Sequence, residues 1–163
     1  MPFCFKPIVH QKTQILVIGT MPSTASLQAN EYYAFPRNAF WRIIADICNI
    51  KDFKNYAEKQ QALKSLNIGL WDNLQFCERE GSLDSKIEQE IPNDFETLLK
   101  QFPQIKKLLF NGQKSYQFFK KYHSKLLKEY KYTVLPSTSP ANAGISYDKK
   151  YALWKQEIEE ECF

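Results

Sequence analysis

Short apolar runs alternate along the chain with longer segments whose apolar residues recur at helical spacing. Four runs predict β-strands: Gln14–Ile18, Ile68–Trp71, Ile105–Phe110 and Tyr132–Leu135. Helical spacing predicts helices over Asn38–Asn49, Tyr56–Leu66, Asp94–Phe102, Gln113–Lys128 and Tyr147–Glu160. Strands that alternate with helices in this way predict an α/β fold, a three-layer α/β/α sandwich around a central, mainly parallel four-stranded sheet.

Three long segments show neither periodicity, and each follows a predicted strand: Thr20–Arg37, Asn73–Ile91 and Ser137–Ser146. In open α/β sheets, ligands bind beyond the carboxyl ends of the strands. A binding or catalytic site is therefore expected where these segments meet the Asn111-Gly112 pair that follows the third strand.

Composition and charge restrict the class of protein. The chain has 163 residues, with 22 Lys+Arg against 18 Asp+Glu and a formal net charge of +4. This fits one domain over residues 1–163 and permits a polyanionic partner. No apolar run approaches the ~18–20 residues of a membrane span, and the N-terminus lacks the apolar stretch of a signal peptide. We therefore expect a cytoplasmic protein without a membrane partner.

The cysteines do not suggest a metal centre. Cys4, Cys48, Cys77 and Cys162 are far apart and form no Cys-x-x-Cys pair. Such spacing disfavours a local zinc site, and a reducing compartment disfavours disulfides. The thiols are expected to be buried or half-buried, without a metal.

Small residues, hydroxyl residues and prolines follow the first and last predicted strands, in segments 19–23 and 135–143. They can bring backbone N–H groups and hydroxyl oxygens close to phosphates, although each segment alone could be an ordinary turn. Neither is a Walker loop or a Gly-x-Gly-x-x-Gly motif, so nucleotide triphosphate chemistry is not supported.

Five segments taken together resemble the uracil-DNA glycosylase superfamily, and most closely its hypoxanthine-DNA (deoxyinosine) glycosylase branch. After Gly19 and Pro22 of the first loop, they are Tyr32–Trp41, Gly69–Asp72, Cys77–Ser85, Phe110–Gly112 and Leu135–Ala143. Each motif alone is weak evidence for the family, but five motifs in this order along one chain are specific for it. The resemblance spans Ile15 to Trp154.

The resemblance implies a monofunctional DNA glycosylase that hydrolyses the N-glycosidic bond of deoxyinosine and leaves an abasic site. It implies DNA containing a deaminated base as partner, a monomer, and no metal or organic cofactor. Two alternatives stay open: a uracil or xanthine mismatch glycosylase on the same fold, and a catalytically silent nucleic-acid-binding domain.

Asn38 is the catalytic residue that the resemblance implies. Most of the superfamily carries an Asp or Asn that positions water just before the proline of the first motif, and here that position is Met21. An amide at position 38 can orient water but is a poor base. The alternative is that Asn38 only caps the following helix.

Six residues are expected to contact the flipped base: Thr20, Met21, Tyr33, Phe40, Asp72 and Asn111. Phe40 is expected to stack on the base, with an ordinary core position as the alternative. Asn111 could pair with the edge of hypoxanthine or simply form a turn. Asp72 could contact the base or hold a loop through Arg79.

DNA contacts are expected mainly from loop residues: Ser23, Arg37, Ser137, Thr138, Ser139, Pro140 and Asn142. Segment 138–141 is the candidate wedge into the base stack. Phe35 and Leu135 stand where related sequences carry histidine, and Phe35 removes a polar base contact. The missing histidine at Leu135 and the missing first-motif acid at Met21 weigh against efficient uracil excision.

Overall fold

The computed structural model describes residues 5–79 and 87–160, with only the backbone described for 76–79 and 87–89. The strands are β1 (Ile15–Gly19), β2 (Ile68–Asp72), β3 (Leu74–Arg79), β4 (Ile87–Pro92), β5 (Lys107–Asn111) and β6 (Lys131–Leu135). The helices are α1 (Thr24–Ala29), α2 (Phe40–Ile47), α3 (Tyr56–Ser65), α4 (Phe95–Gln101), α5 (Gln113–Glu129) and α6 (Tyr147–Glu159).

A parallel sheet of four strands, in the order β2-β1-β5-β6, forms the centre of the fold. Gly19 is in register with Asp72, and Asn111 with Leu135. The carboxyl ends of the strands therefore meet at one edge, and the predicted four-stranded parallel sheet is confirmed.

Side chains of β1 alternate between two hydrophobic cores. Ile15 and Val17 face a core shared with α2, α3 and α6, whereas Leu16 and Ile18 face a core shared with α4 and α5. Successive residues of a strand point to opposite faces of the sheet, so helices cover both faces. This is the predicted three-layer α/β/α arrangement.

Two segments predicted to be irregular contain regular structure. The six-residue α1 lies within 20–37, between Ser23 as its N-cap and Asn30 in the left-handed conformation. Strands β3 and β4 form a separate antiparallel pair within 73–91. Neither element has the apolar periodicity of a buried helix or strand, which explains why the pattern did not predict it.

Some expectations fall on residues that the structure does not describe. These are Cys4, Cys162, the side chains of Cys77 and Arg79, and part of the motif 77–85. Within 5–79 and 87–160, helices are too short or too polar to cross a membrane.

A cluster of charges joins α6 to the amino ends of β5 and β6. Lys107 is only 1% exposed, and its Nζ lies 3.0 Å from Glu157 Oε1 and 2.9 Å from Glu160 Oε2. Glu160 Oε1 also lies 2.8 Å from Lys131 Nζ. Hydrogen bonds from Lys131 and Lys107 lower the pKa of Glu160 to about 2.

This lowered pKa predicts an acid-dependent loss of stability. Because the folded state holds Glu160 ionised more strongly than the unfolded chain does, its contribution is fully present above the ordinary pKa of 4.5 and is lost as the pH falls toward about 2. We expect Glu160→Gln to lower the Tm at neutral pH, with a difference from the unmodified chain that shrinks over that interval.

Thermal melts at several pH values provide the measurement, with Glu159→Gln as control. Glu159 makes only a surface ion pair with Lys155, at 3.9 Å, and such pairs contribute little. A Tm difference for Glu160→Gln that stays constant from neutral pH to pH 2 would contradict the assignment.

Candidate active site

A cavity of about 510 Å³ opens at the carboxyl edge of the parallel sheet, where the strand-end rule predicts a site. It is lined by Gly19, Thr20, Met21, Pro22, Ser23, Thr24, Ala25, Ser26, Gln28, Tyr32, Tyr33, Phe35, Asn38, Asp72, Asn111, Ser137, Thr138, Ser139, Pro140 and Ala141. All expected site residues except Arg37, Phe40 and Asn142 are in this lining.

The absence of a side chain at Gly19 allows two polar groups to approach the end of β1. A Cβ atom at this position would lie 2.6 Å from Asp72 Oδ1 and 3.0 Å from Tyr33 Oη. The Asp72 side chain is 3% exposed at the end of the neighbouring strand. The glycine therefore serves close packing of a carboxylate and a phenol beside the cavity.

The Asn73 side chain forms hydrogen bonds that join the end of β1 to Ser115 of α5. Its Nδ2 lies 2.9 Å from Gly19 O, 2.9 Å from Ser115 O and 3.0 Å from Ser115 Oγ. Ser115 Oγ in turn donates to Ile18 O at 2.6 Å. The sequence reasoning missed both residues, although a polar side chain directly after a buried strand was the available signal for Asn73.

Asn38 lines the cavity just before α2. Its Oδ1 accepts a hydrogen bond from Phe40 N at 2.9 Å, and its backbone N donates to Phe35 O at 2.9 Å. The side chain thus satisfies an amide at the start of the helix while it faces the cavity. The N-cap residue of α2 is Ala39, so Asn38 lies one residue before the cap position, and its catalytic role stays a prediction.

Tyr33 is among the aromatic residues that line the cavity, whereas Phe40 is not. Phe40 is fully buried, and the Tyr33 ring lies over it with centroids 4.4 Å apart and planes tilted by 33°. Tyr33 has φ of 52°, a left-handed conformation that is uncommon for a bulky residue. The expectation that Phe40 itself stacks on a base is corrected by this placement: Phe40 supports Tyr33 from behind.

Asn111 and Thr138 are bonded to each other. Asn111 Nδ2 donates to Thr138 Oγ1 at 3.0 Å, and Thr138 N donates to Asn111 Oδ1 at 2.9 Å. Thr138 O accepts from Ala39 N at 2.9 Å, next to Asn38. We call this connection the Asn111–Thr138–Ala39 clamp.

The clamp shows which groups of Asn111 and Thr138 are already bonded within the protein. The Asn111 amide uses one Nδ2 hydrogen and one Oδ1 lone pair within the protein, so one hydrogen and one lone pair remain for a base. Thr138 is 1% exposed and its hydroxyl faces Asn111 rather than a phosphate. Both residues hold the loop after β6 in place.

The other expected contacts lie around the cavity mouth. Ser139 N donates to Ser137 Oγ at 3.1 Å, and Asn142 Nδ2 donates to Ser137 O at 3.3 Å, so the loop after β6 is internally braced. Arg37 is exposed and its guanidinium lies 5.5 Å from the centre of the Phe35 ring.

The first loop contributes both polar and apolar groups. Thr20 is buried and bonded through its carbonyl to Leu74 N, at 3.2 Å. Met21 packs with Leu74 and Phe118, so it adds an apolar wall to the cavity. Ser23 Oγ accepts from Ser26 N at 3.1 Å and caps α1.

Among the described side chains, no three His, Cys, Asp or Glu residues are close enough to hold a metal ion. Cys48 is half-buried, and burial raises the pKa of its thiol. The prediction that no cofactor takes part stays a prediction.

Comparison with known proteins matches the chain to one protein family over nearly its whole length. The family model of the uracil DNA glycosylase superfamily matches residues 7–161. Two relatives are named hypoxanthine DNA glycosylase. The one from Methanosarcina acetivorans is 37% identical over 150 residues, covering 90% of this chain and 91% of its own. The one from Methanosarcina barkeri is 39% identical over 116 residues, covering 70% and 73%.

A solved structure has the same fold. It is a solution NMR structure of a candidate uracil DNA glycosylase from Methanosarcina acetivorans, with a TM-score of 0.80 and 34% sequence identity. The superposition covers 97% of this chain and 98% of that chain. The similarity thus extends over the sheet, both helical layers and the loops around the cavity.

Proposed function

The chain belongs to the uracil-DNA glycosylase superfamily, and on that basis we propose that it is a monofunctional DNA glycosylase that releases hypoxanthine from deoxyinosine in DNA. The observation that carries the substrate is the name of the relative that matches 90% of the chain at 37% identity. The cavity adds support, because it offers an aromatic ring, a buried carboxylate and an oriented amide at one strand edge.

Base recognition begins with removal of the nucleotide from the duplex. Flipping costs a few kcal/mol and is cheapest at a mismatched base such as hypoxanthine. Tyr33 stacks on the flipped base. Phe40 packs against the Tyr33 ring and holds that ring in position. Thr20 and Met21 close the cavity beside the end of β1.

Asp72 distinguishes hypoxanthine from adenine. Hypoxanthine carries a hydrogen on N1, which a carboxylate oxygen can accept, whereas adenine has an unprotonated N1 that a carboxylate repels. The Asp72 side chain is almost fully buried at the cavity wall, where a lost hydrogen bond is costly. Asn111 adds its remaining Nδ2 hydrogen on the opposite side.

Hydrolysis replaces the bond between C1′ and N9 by a bond between C1′ and water oxygen. The base leaves with the electron pair of the broken bond, and a proton lost by the attacking water balances the charge on the departing base. Asn38 orients that water and stabilises the oxocarbenium-like sugar by its dipole. As proposed, these steps use neither a metal nor an organic cofactor.

The DNA strand lies across the cavity mouth in this proposal. Ser23, Arg37, Ser137, Ser139 and Asn142 approach the phosphates, and Pro140 stands at the tip that enters the base stack. The enzyme acts as a monomer in this proposal, because one cavity and its rim provide every proposed contact. The cytoplasmic location and the single domain over residues 1–163 stay predictions.

The test is base release from duplexes that contain hypoxanthine, xanthine or uracil, followed by alkali to cleave abasic sites. We expect cleavage to be fastest with hypoxanthine and no covalent adduct on borohydride treatment, because the mechanism has no lysine nucleophile. Preference for uracil would contradict the proposed substrate. Binding without cleavage of any duplex would instead favour a silent nucleic-acid-binding domain.

A further inference from the structure

Lys150 is a buried cation with a single polar contact. It lies in the first turn of α6, is 6% exposed, and its Nζ lies 3.4 Å from Ser139 O. No carboxylate of the described residues forms an ion pair with it, including Asp148 in the same turn. The other buried lysine, Lys107, has two glutamates within 3.0 Å.

Two physical effects make this position unfavourable for a lysine in the protein alone. Burial removes hydration from the ammonium group, and the resulting desolvation lowers the pKa of Lys150. The amino-terminal turn of a helix carries partial positive charge, which disfavours a cation. A neutral side chain of similar length would avoid both costs, so the charge itself points to a ligand.

The backbone that Lys150 contacts faces the cavity mouth on its other side. Ser139 and Pro140 line the cavity, and Ser139 O also accepts from Asn142 N at 3.0 Å. The Lys150 ammonium group contacts the Ser139 backbone of this turn, so its positive charge lies close to a group bound against Ser139 or Pro140.

We propose that Lys150 is a positioning residue that acts through Ser139 and supplies the positive charge for a DNA phosphate lying on the turn formed by residues 137–140. This inference rests on the proposed function, because it requires DNA on that turn. The phosphate provides the counter-charge that the described protein lacks around Lys150. The residue thereby stabilises the complex more than the free protein.

The experiment measures the salt dependence of binding to a short fluorescent duplex without any modified base. Each neutralised phosphate contributes about 0.9 to the slope of log affinity against log salt. We expect Lys150→Gln and Lys150→Met to lower the magnitude of that slope by about 0.9, and Lys150→Arg to retain it. The affinity deficit of the neutral variants then shrinks about threefold between about 50 and about 200 mM salt.

Thermal stability separates this role from a structural one. Removal of an unpaired buried cation should leave the Tm unchanged or raised, whereas a structural lysine would lower the Tm with no change of salt slope. Lys149→Gln removes an exposed charge from the same helical turn and serves as control. An unchanged slope in both neutral variants overturns the inference.

Binding to the undamaged duplex distinguishes a failure of the Lys150 proposal from a failure of the proposed function. If the unmodified protein binds with a salt slope that Lys150 variants do not alter, only the role of Lys150 fails. If the unmodified protein does not bind duplex DNA at all, the proposed function fails with it. Loss of slope in the neutral variants supports Lys150 whether hypoxanthine or another base is released.

Discussion

Replacement of Asn38 by serine is expected to reduce base release by about a hundredfold or more, with little change in stability. Serine retains an oxygen that can accept the Phe40 amide hydrogen now bound by Asn38 Oδ1 at 2.9 Å. It loses the amide group that faces the cavity. The expected result is a folded protein that binds DNA but does not release the base.

Single-turnover release from a hypoxanthine duplex, together with a thermal melt, measures both quantities. Asn55→Ser is the matched control, because Asn55 caps α3 through a bond from Glu58 N to its Oδ1 at 2.9 Å and lies outside the cavity lining. Activity of Asn38→Ser within a few-fold of the unmodified protein would show that Asn38 serves only to accept the Phe40 N–H.

Replacement of Gly19 by alanine is the second change with a large expected effect. The new Cβ would lie 2.6 Å from Asp72 Oδ1, closer than such atoms can approach, and 3.0 Å from Tyr33 Oη. The backbone at Gly19 does not need a left-handed conformation, so the strand itself tolerates alanine. We therefore expect the new Cβ atom to displace the Asp72 carboxylate and the Tyr33 ring.

A displacement of about 1 Å at a reacting centre can reduce the rate about a hundredfold. We therefore expect Gly19→Ala to lose hypoxanthine release to about that extent while it retains a cooperative melt. Gly144→Ala is the control, since a Cβ at that position meets nothing within 4 Å. Full activity of Gly19→Ala would mean that Asp72 and Tyr33 can move without consequence.

The central sheet could be predicted from sequence because its strands are buried on both faces. Such strands form continuous apolar runs, as Ile15–Gly19 does, and the helices between them carry a regular apolar stripe. Helix α1 and the β3–β4 pair escaped prediction because they are short and do not span a core. A capping hydrogen bond from Ser26 N to Ser23 stabilises α1, and backbone pairing stabilises β3 and β4.

The strand-end rule located the cavity, but it could not assign every side chain within it. Tyr33 and Phe40 both belong to one motif, and the packing of α2 in the core, which buries Phe40 and leaves Tyr33 at the cavity, is a tertiary property. Asn111 was expected at the base edge, yet its bonds to Thr138 depend on a loop 27 residues away. Lys150 had no local signal, since burial of a single lysine is a tertiary property.

The Asn111–Thr138–Ala39 clamp has a kinetic consequence for the proposed reaction. One backbone hydrogen bond, from Ala39 N to Thr138 O, connects the loop that meets DNA to the residue beside Asn38. Energy gained where the loop touches the phosphates can therefore fix the geometry of the water near the sugar, which raises turnover rather than affinity alone. Free inosine lacks those phosphates. The clamp thus predicts faster release from DNA than from the free nucleoside.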